Sequence, residues 1–387
     1  MPKAITTRKR LGIAGALVAL VAIGALLMPM AVGPAAAQND DCTFTVADVT
    51  MTLDGDCTTD ETILIPDGFT LDGNGNTITA VDPASGNFLG AIVKNEGTTA
   101  HIKNLRLTTD DLNNVCQGGD NRLRGILFDG ASGSIRDNEV LDINKGVSGC
   151  QEGNGIEVRN APFDGTGVDP VQASIRGNTV TDYQKTGIVA NGNVDVTITG
   201  NEIQGFEPTA SIAQNGIQVG FGATGSVMDN TTTNNWFSGD NWAAAGILVF
   251  EASGAMVQGN TVSQSQIGVG IEAWCWFVAT ASDNQVVNNQ IDGSDFGVTI
   301  AANVLGGLTT CNPSANGNNV VNNAIASPGE EGDTAVFVGT GEFFCPCPAF
   351  SGSAENNKVI RNAISGFEDG VVDGGTDSKV QANVSMP

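Results

Sequence analysis

The stretch SIRGNTVTDYQKTGIVANG, Ser174–Gly192, combines short apolar pairs with Gly-Asn and Thr-Gly steps and contains no long apolar run. Apolar residues at every second position predict β-strands rather than a helix, because the side chains of a strand point alternately to its two faces. The break at Gly177-Asn178 is too short for a hairpin that returns on itself. The segment therefore predicts most of one coil, with three short strands that pair only with neighbouring coils.

Two patterns related to this stretch recur along the chain. The first is Gly, apolar, any residue, apolar; it starts at Gly125, Gly155, Gly187, Gly216, Gly246, Gly268, Gly297 and Gly370, and Ala335 replaces the Gly once. The second is an Asn between apolar positions, at Asn138, Asn178, Asn201, Asn230, Asn260, Asn289, Asn323, Asn362 and Asn383. The shortest steps are 14 residues from Gly to Asn and 8 from Asn to Gly. One minimal turn is thus 22 residues, a period that is typical of solenoids.

The recurring Asn predicts a specific contact between coils. Stacked coils would place these side chains above one another, and their amides would hydrogen-bond from coil to coil. Because Asn tolerates the left-handed backbone conformation, we expect the Asn itself to form the bend.

The repeats resemble those of the pectin lyase-like superfamily over roughly residues 60 to 387. The opening ILIPDGFTLDGNGNTI, Ile63–Ile78, looks like the first coils of such proteins, and Leu105 stands where later coils place Asn. The resemblance implies an all-β fold, a right-handed parallel β-helix of about ten or eleven coils over residues 61–387. Residues 38–60 are expected to cap its open N-terminal end, which would otherwise be an unpaired strand edge.

The first 37 residues read as a cleaved signal peptide, with a basic start, an apolar stretch from Leu11 to Met30 and a small-residue site at Ala35–Ala37. A retained membrane anchor is the alternative. Cleavage would leave 13 basic and 42 acidic residues, a net charge of −29. Such a charge disfavours nucleic acid and anionic membranes as partners. No second apolar run follows, so we expect a secreted protein, extracellular, periplasmic or in the cell envelope, with no membrane span.

All eight cysteines lie after the expected cleavage site, and an even number in an exported chain favours disulfides over a zinc site. The simplest pairing joins neighbours in sequence. It gives Cys42–Cys57, Cys116–Cys150 and Cys275–Cys311, and leaves Cys345 with Cys347 as the least secure pair.

Insertions into the minimal turn fall on both sides of the Gly-apolar-x-apolar strand, whereas the Asn turn stays tight. They would wall a groove over one sheet. Asp129, Glu157 and Arg159 face outward there on adjacent coils and form the candidate catalytic group, since a cation can neutralise a uronate carboxyl while a base removes the neighbouring proton. Ordinary solvated surface charges are the alternative. The candidate binding residues are Arg124, Lys185, Asn191, Gln218, Trp242, Glu272 and Trp274.

Basic and aromatic residues divide this groove into two halves. No Lys or Arg occurs between Lys185 and Lys358, so a site for an anionic polymer must lie in the N-terminal half. All four Trp lie further along the chain, in loops or at strand ends, where ring faces can stack on sugars. Alternatively, Trp236 and Trp276 only fix their loops to the coils; an exposed Trp242 or Trp274 would favour sugar binding.

The catalytic motifs of known superfamily members are not found. The Gly-His-Gly of polygalacturonases is missing, because the only His is His101 in Ala100-His101-Ile102. The Arg-x-Pro-x-x-Arg pattern of pectate lyases is also missing. Alginate epimerase-like members use His and Tyr beside Asp, but His101 and Tyr183 are some three coils apart and are not expected to meet.

Acidic turns at Asp54–Asp56 and Asp72–Asn76 are candidate Ca²⁺ ligands, although these residue types also suit turns. No cofactor is required by the sequence, and a metal site stays unknown. The sequence thus predicts a protein that binds extracellular polysaccharide in a lyase- or hydrolase-like groove, and it leaves open whether the protein is an enzyme. The alternative is a non-catalytic structural or adhesive rod of the cell envelope or surface.

Overall fold

The fold is described from a computed structural model for residues 41–163, 166, 168–206, 208–239, 243–303, 311–327, 332–340 and 352–385. In these ranges the chain forms β-strands, with one short 3-10 turn at Gly119–Asn121. The predicted signal peptide, Trp242, Cys345 and Cys347 lie outside the described residues.

In chain order the strands are β1 (Phe44–Ala47), β2 (Thr50–Leu53), β3 (Cys57–Thr59), β4 (Ile63–Ile65), β5 (Phe69–Asp72), β6 (Thr77–Ala80), β7 (Ala91–Asn95), β8 (Thr99–Lys103), β9 (Arg106–Thr109), β10 (Arg124–Asp129), β11 (Ser132–Arg136), β12 (Glu139–Leu141), β13 (Asn154–Asn160), β14 (Val171–Arg176), β15 (Thr179–Thr181), β16 (Thr186–Gly192), β17 (Val194–Thr199) and β18 (Glu202–Gln204). They continue with β19 (Asn215–Gly220), β20 (Thr224–Met228), β21 (Thr231–Asn235), β22 (Ala245–Phe250), β23 (Met256–Gln258), β24 (Thr261–Ser265), β25 (Ile267–Ala273), β26 (Gln285–Val287), β27 (Gln290–Asp292), β28 (Phe296–Ala302), β29 (Asn319–Val321), β30 (Ala324–Ala326), β31 (Gly332–Thr340), β32 (Lys358–Ile360), β33 (Ala363–Ser365), β34 (Phe367–Asp373), β35 (Lys379–Gln381) and β36 (Val384–Ser385).

Apart from β2 and the strands at the sheet ends, every strand pairs with the strands three before and three after it, which builds three long parallel sheets. The first sheet runs from β1 and β2 to β35 with 13 strands, the second from β3 to β36 with 12, and the third from β4 to β34 with 11. Strands β2 to β34 therefore make eleven complete three-strand coils within the described residues, and β35 and β36 begin another. This confirms the predicted all-β parallel β-helix and its coil number.

The core is the narrow interior shared by the three sheets. Ile156, Ile188 and Ile217 are register partners on successive coils of the third sheet, and all three are fully buried. Each coil thus places its alternate apolar residues beneath those of the next coil, as the period-2 pattern predicts.

The Gly of the recurring pattern lies where the backbones of consecutive coils approach closely. A Cβ at Gly187 would lie 2.7 Å from the carbonyl oxygen of Gly216, and a Cβ at Gly155 would lie 2.7 Å from that of Gly187. Gly suits this corner because it has no Cβ, and Ala335 takes its place once, in β31.

The predicted Asn ladder is present. Asn201 Nδ2 donates to Asn230 Oδ1 at 2.9 Å, and Asn230 Nδ2 donates to Asn260 Oδ1 at 3.0 Å. The same contact links Asn138, Asn178, Asn201, Asn230, Asn260, Asn289, Asn323, Asn362 and Asn383 in order. At the position of Leu105, the backbone N–H donates to Asn138 Oδ1, so the ladder ends there on a backbone group.

The expectation that these Asn adopt the left-handed conformation is wrong. The residue before each of them does so instead, for example Gly177 at φ 62°, Asp229 at φ 54° and Asn288 at φ 57°. The ladder Asn must point its amide into the stack, so the bend is made one position earlier.

Three of the predicted disulfides are present, and residues 38–60, predicted as a cap, already contain β2 and β3 of the first coil. Strand β1 pairs antiparallel with β2 and forms the edge of the first sheet. The pairs Cys42–Cys57, Cys116–Cys150 and Cys275–Cys311 are all formed. Among the described residues, no helix is long and apolar enough to cross a membrane.

Candidate functional site

A groove of about 1200 Å³ lies over the outer face of the third sheet, along strands β10 to β25. The segments that precede these strands form one wall, which includes Arg122, Lys185 and residues 210–213. The segments that follow the strands form the other wall, which includes Phe163, Phe221, Trp274, Trp276 and Phe277. These are the two sides on which the insertions accumulate. The groove spans five strand spacings, about 24 Å at about 4.8 Å per strand.

Most of the predicted site residues line this groove. Those that do are Arg124, Glu157, Arg159, Lys185, Asn191, Gln218, Glu272 and Trp274. Asp129 is not among the lining residues, although its backbone is the register partner of Arg159.

At the N-terminal end of the groove, Arg124 and Glu157 form a buried ion pair. The Arg124 Nε donates to Glu157 Oε2, and the side chains are 3% and 5% exposed. Asn154 Nδ2 donates to the same oxygen at 2.9 Å. The remaining guanidinium nitrogens face backbone carbonyls, including that of Arg122 at 2.8 Å. Both charges are thereby neutralised within the protein.

Arg159 is held by two carboxylates. Its Nε and Nη2 contact the two oxygens of Asp129 at 3.0 and 2.9 Å, and Nη2 also contacts Asp120 Oδ1 at 2.6 Å. Lys94 adds a contact to Asp129 at 3.1 Å. Burial alone would raise the pKa of Asp129, but the hydrogen bonds and charges of Arg159 and Lys94 lower it. A carboxylate that is paired in this way is a weak general base.

Glu272 has the opposite environment at the far end of the groove. Its carboxyl accepts a hydrogen bond from Trp274 Nε1 at 2.8 Å and one from Thr299 Oγ1 at 3.4 Å. Burial raises the pKa of Glu272 to about 7, because these two hydrogen bonds only partly offset the loss of solvation. At neutral pH this carboxyl can therefore both donate and accept a proton or hydrogen bond.

Glu157 and Glu272 are the two carboxylates among the described residues that line the groove. Their strands, β13 and β25, are four spacings apart in the third sheet, roughly 19 Å at about 4.8 Å per strand. Glycoside hydrolysis by a carboxylate pair needs a separation of about 5 to 9.5 Å. The groove therefore lacks this geometry in its described part.

An aromatic wall, formed by Phe163, Phe221, Phe250, Trp274, Trp276 and Phe277, lines the same end of the groove. The rings touch one another: Phe221 lies 4.9 Å from Phe277 and 6.4 Å from Trp276 between ring centroids, and Phe250 lies 5.4 Å from Trp276. Phe163, Phe221 and Phe277 were missed by the sequence analysis. The available signal is their position, just after a strand of the third sheet ends.

The segment that carries three of these rings is fixed by a buried carboxylate and a disulfide. Glu251 is fully buried, and its oxygens accept the backbone N–H groups of Trp276, Phe277 and Val278 at 2.5 to 2.9 Å. The Cys275–Cys311 disulfide ties the same segment to the following loop. The wall is thus held in place before any ligand arrives.

Trp274 and Trp276 differ in their exposure to solvent. Trp274 is 6% exposed because its indole N–H is bonded to Glu272, whereas Trp276 is 46% exposed and Phe277 is 53% exposed. Trp276 rather than Trp274 therefore presents its face to solvent.

Lys185 lies half-buried in the opposite wall. Its Nζ donates to the Ala213 carbonyl oxygen at 2.6 Å, and burial lowers its pKa to about 8. The expectation that Tyr183 and His101 do not meet is confirmed. Tyr183 is fully buried and donates to Asn235 Oδ1 at 2.5 Å, whereas His101 contacts Ser134 on the first sheet at 2.9 Å.

The carboxylates of the acidic turns near the N-terminus form hydrogen bonds and an ion pair with other residues of the protein. Asp56 Oδ1 accepts the Thr77 N–H at 2.8 Å. Asp72 accepts the Asn74 N–H at 3.0 Å and pairs with Lys103 at 2.8 Å. The Asp72–Asn74 contact is that of a turn-forming side chain, and the other two contacts join neighbouring coils.

Comparison with known proteins agrees with the fold. The family described as right handed beta helix region matches residues 163–342. The periplasmic alginate epimerase AlgG is 12% identical, with 89% of this chain and 80% of that chain covered and a TM-score of 0.55; a double mutant of the same enzyme gives 0.56. The DFA-IIIase from Arthrobacter chlorophenolicus A6 is 14% identical, with 84% and 74% covered and a TM-score of 0.44. None of the curated proteins matches in sequence.

The fold is therefore a right-handed parallel β-helix, as the repeats predict.

Proposed function

We propose that this protein is an extracytoplasmic polysaccharide-binding β-helix that holds a segment of glycan in the groove over its third sheet. The observation that carries the proposal is the aromatic wall facing an amide-bearing floor within one groove of about 1200 Å³. Sugars need both surfaces, because their C–H faces pack on aromatic rings and their hydroxyls need donors and acceptors.

The floor offers such polar groups. Gln218 Nε2 donates to Asn191 Oδ1 at 3.0 Å. Among the described residues, the amide nitrogen of Asn191 and the carbonyl oxygen of Gln218 have no other partner. One donor and one acceptor thus remain at neighbouring positions for a ligand that carries adjacent hydroxyls.

The location outside the cytoplasm is supported by the three disulfides, which persist in oxidising compartments. The structurally similar AlgG is a periplasmic alginate epimerase, so a polysaccharide is a known partner of this fold. The net charge of −25 disfavours nucleic acid as the ligand.

The distances favour recognition over cleavage. Carboxylate-pair hydrolysis lacks its second group, and elimination at Glu272 would need a cation beside it to neutralise a uronate carboxyl. Lys185 precedes β16, three strand spacings from Glu272, so roughly 14 Å separates them along the groove at about 4.8 Å per strand. In this proposal Asp129 and Glu157 act by holding Arg159 and Arg124 at the basic end of the groove.

The test is a binding assay of the exported protein against a panel of neutral and uronate-containing polysaccharides, with affinity electrophoresis and calorimetry as readouts. Trp276→Ala with Phe277→Ala should abolish or strongly weaken binding, and Trp236→Phe, outside the groove lining, should not. Ultraviolet absorbance of unsaturated products and reducing-end release are recorded in parallel. Binding without turnover supports the proposal. Turnover would overturn the preference for recognition, and absence of any binding would favour the structural rod instead.

A further inference from the structure

The two ends of the groove differ in charge, and this difference specifies the ligand if the proposed function holds. Four basic residues line the groove, namely Arg122, Arg124, Arg159 and Lys185. Arg124 is neutralised by Glu157, and Arg159 by Asp129 and Asp120. Within the described part of the chain, Arg122 and Lys185 have no ion pair. The groove thus has two uncompensated positive charges, both in its N-terminal half.

These two cations differ in their surroundings. Arg122 is exposed at the entrance, whereas Lys185 is half-buried in the wall, where its Nζ donates to the Ala213 carbonyl oxygen. Burial without an anion lowers the pKa of Lys185 to about 8, so an acidic group of the ligand would restore its charged form. One anionic group placed between Arg122 and Lys185 would complete the site.

The other half of the groove offers no such partner. The sequence has no Lys or Arg between Lys185 and Lys358, so the strands β19, β22 and β25 supply none. These strands and the segments that follow them supply instead the carboxyl of Glu272 and most rings of the aromatic wall. A carboxylate placed here would be desolvated against rings and would face another carboxyl, which is unfavourable.

A uniform polyuronate carries one carboxylate on every sugar. Laid along the groove, it would place several carboxylates in the half that has no cation. We propose that the ligand is a mixed-charge heteroglycan, which binds with one acidic group between Arg122 and Lys185 and with uncharged sugars against Phe250 and Trp276. The groove would then select a ligand that has an acidic group at one position and uncharged sugars beyond it.

The experiment compares three probes by calorimetry with the exported protein at low and moderate salt. They are polymannuronate, a heteropolysaccharide with a neutral glucan main chain and spaced uronate branches, and the same heteropolysaccharide after chemical reduction of its carboxyls. The intact heteropolysaccharide should bind at least about 10-fold more tightly than either of the others, the effect of one desolvated charge pair. Its advantage should shrink as salt rises.

Variants locate the effect. Arg122→Gln and Lys185→Gln should each remove most of the preference for the intact over the reduced polymer. Arg176→Gln, an exposed Arg on the first sheet, is the matched control and should leave that preference unchanged. Arg122 is exposed, so its variant stays informative where Lys185→Gln fails to fold.

Equal binding of intact and reduced polymers, or binding of polymannuronate as tight as that of the intact polymer, would overturn the inference while leaving the proposed function standing. Failure of all three probes, together with failure of the wider panel, would overturn the proposed function itself.

Discussion

Replacing Asn230 by Ala tests whether the Asn ladder holds the coils together. Asn230 is 1% exposed. The Oδ1 of Asn230 accepts hydrogen bonds from the backbone N–H and the Nδ2 of Asn201, both at 2.9 Å. The Nδ2 of Asn230 donates to the Ile198 carbonyl oxygen and to Asn260 Oδ1, both at 3.0 Å. Asn201 and Asn260 side chains keep other partners, but the Asn201 N–H and the Ile198 carbonyl lose these contacts in a buried setting.

Each orphaned buried backbone group costs about 1–3 kcal/mol, so the variant should lose about 2–6 kcal/mol of unfolding free energy. The matched control is Asn383→Ala at the C-terminal end of the ladder. Asn383 makes the equivalent contacts to Asn362 and Val359 but is only half-buried, so water can replace them and the loss should be about 1 kcal/mol or less.

The loss is measured by urea unfolding followed by circular dichroism. Because stacked repeats need not unfold in one step, hydrogen exchange of the Asn201 amide is measured in the native state as well. A 2 kcal/mol loss corresponds to about 30-fold faster exchange. If Asn230→Ala is no more destabilising than Asn383→Ala, the ladder is a consequence of stacking rather than a cause of it.

Three further outcomes are expected. Burial raises the pKa of Glu272 from its ordinary value of 4.5 to about 7, so the folded state retains a proton that the unfolded state releases. The unfolding free energy should fall by at most about 3 kcal/mol as pH rises from 4.5 to 7, and Glu272→Gln should flatten that decline in pH-dependent urea melts. Replacing Cys275 and Cys311 by Ala removes a disulfide between residues 36 positions apart, which should lower the unfolding free energy by up to about 4 kcal/mol because the unfolded chain gains entropy. The variant should also bind glycan more weakly than the oxidised protein, as measured by calorimetry. Trp276→Ala alone should weaken binding about five-fold or more without changing the thermal midpoint, because its ring is half exposed; an unchanged affinity would exclude this ring from the ligand contact.

The fold could be predicted because its determinants are local and repeated. Inward Ile and Val, the corner Gly and the ladder Asn recur in the same order, so each coil repeats the evidence for the fold. A second ladder was missed, in which Asn284 and Asn318 bond the backbone of the preceding coil. Its signal was present, since Asn284, Asn318 and Asn357 each stand five residues before a ladder Asn. The period therefore predicts the coil, but the second row of stacked amides appears only when the positions five residues before the ladder Asn are compared between coils.

The site was less predictable because pairing and exposure depend on loops that do not repeat. The sequence placed Asp129, Glu157 and Arg159 on adjacent coils, but it could not show that Asp120 and Arg124 would neutralise them. Likewise, whether Trp274 or Trp276 faces solvent depends on the bond to Glu272 and on the bend at Cys275, where φ is 64°. These outcomes follow from three-dimensional contacts between insertions of different coils.

The charge distribution has a physical consequence that connects the fold to its ligand. A β-helix stacks equivalent positions at one spacing, so a uniform polymer would be matched best by a uniform row of side chains along the groove. This groove is not uniform: its outward row changes from Arg159 through Asn191 and Gly220 to Phe250 and Glu272 over successive coils. Each coil therefore presents different chemistry to the ligand, which favours a polymer whose own residues differ along its length and which can occupy the groove in one register only.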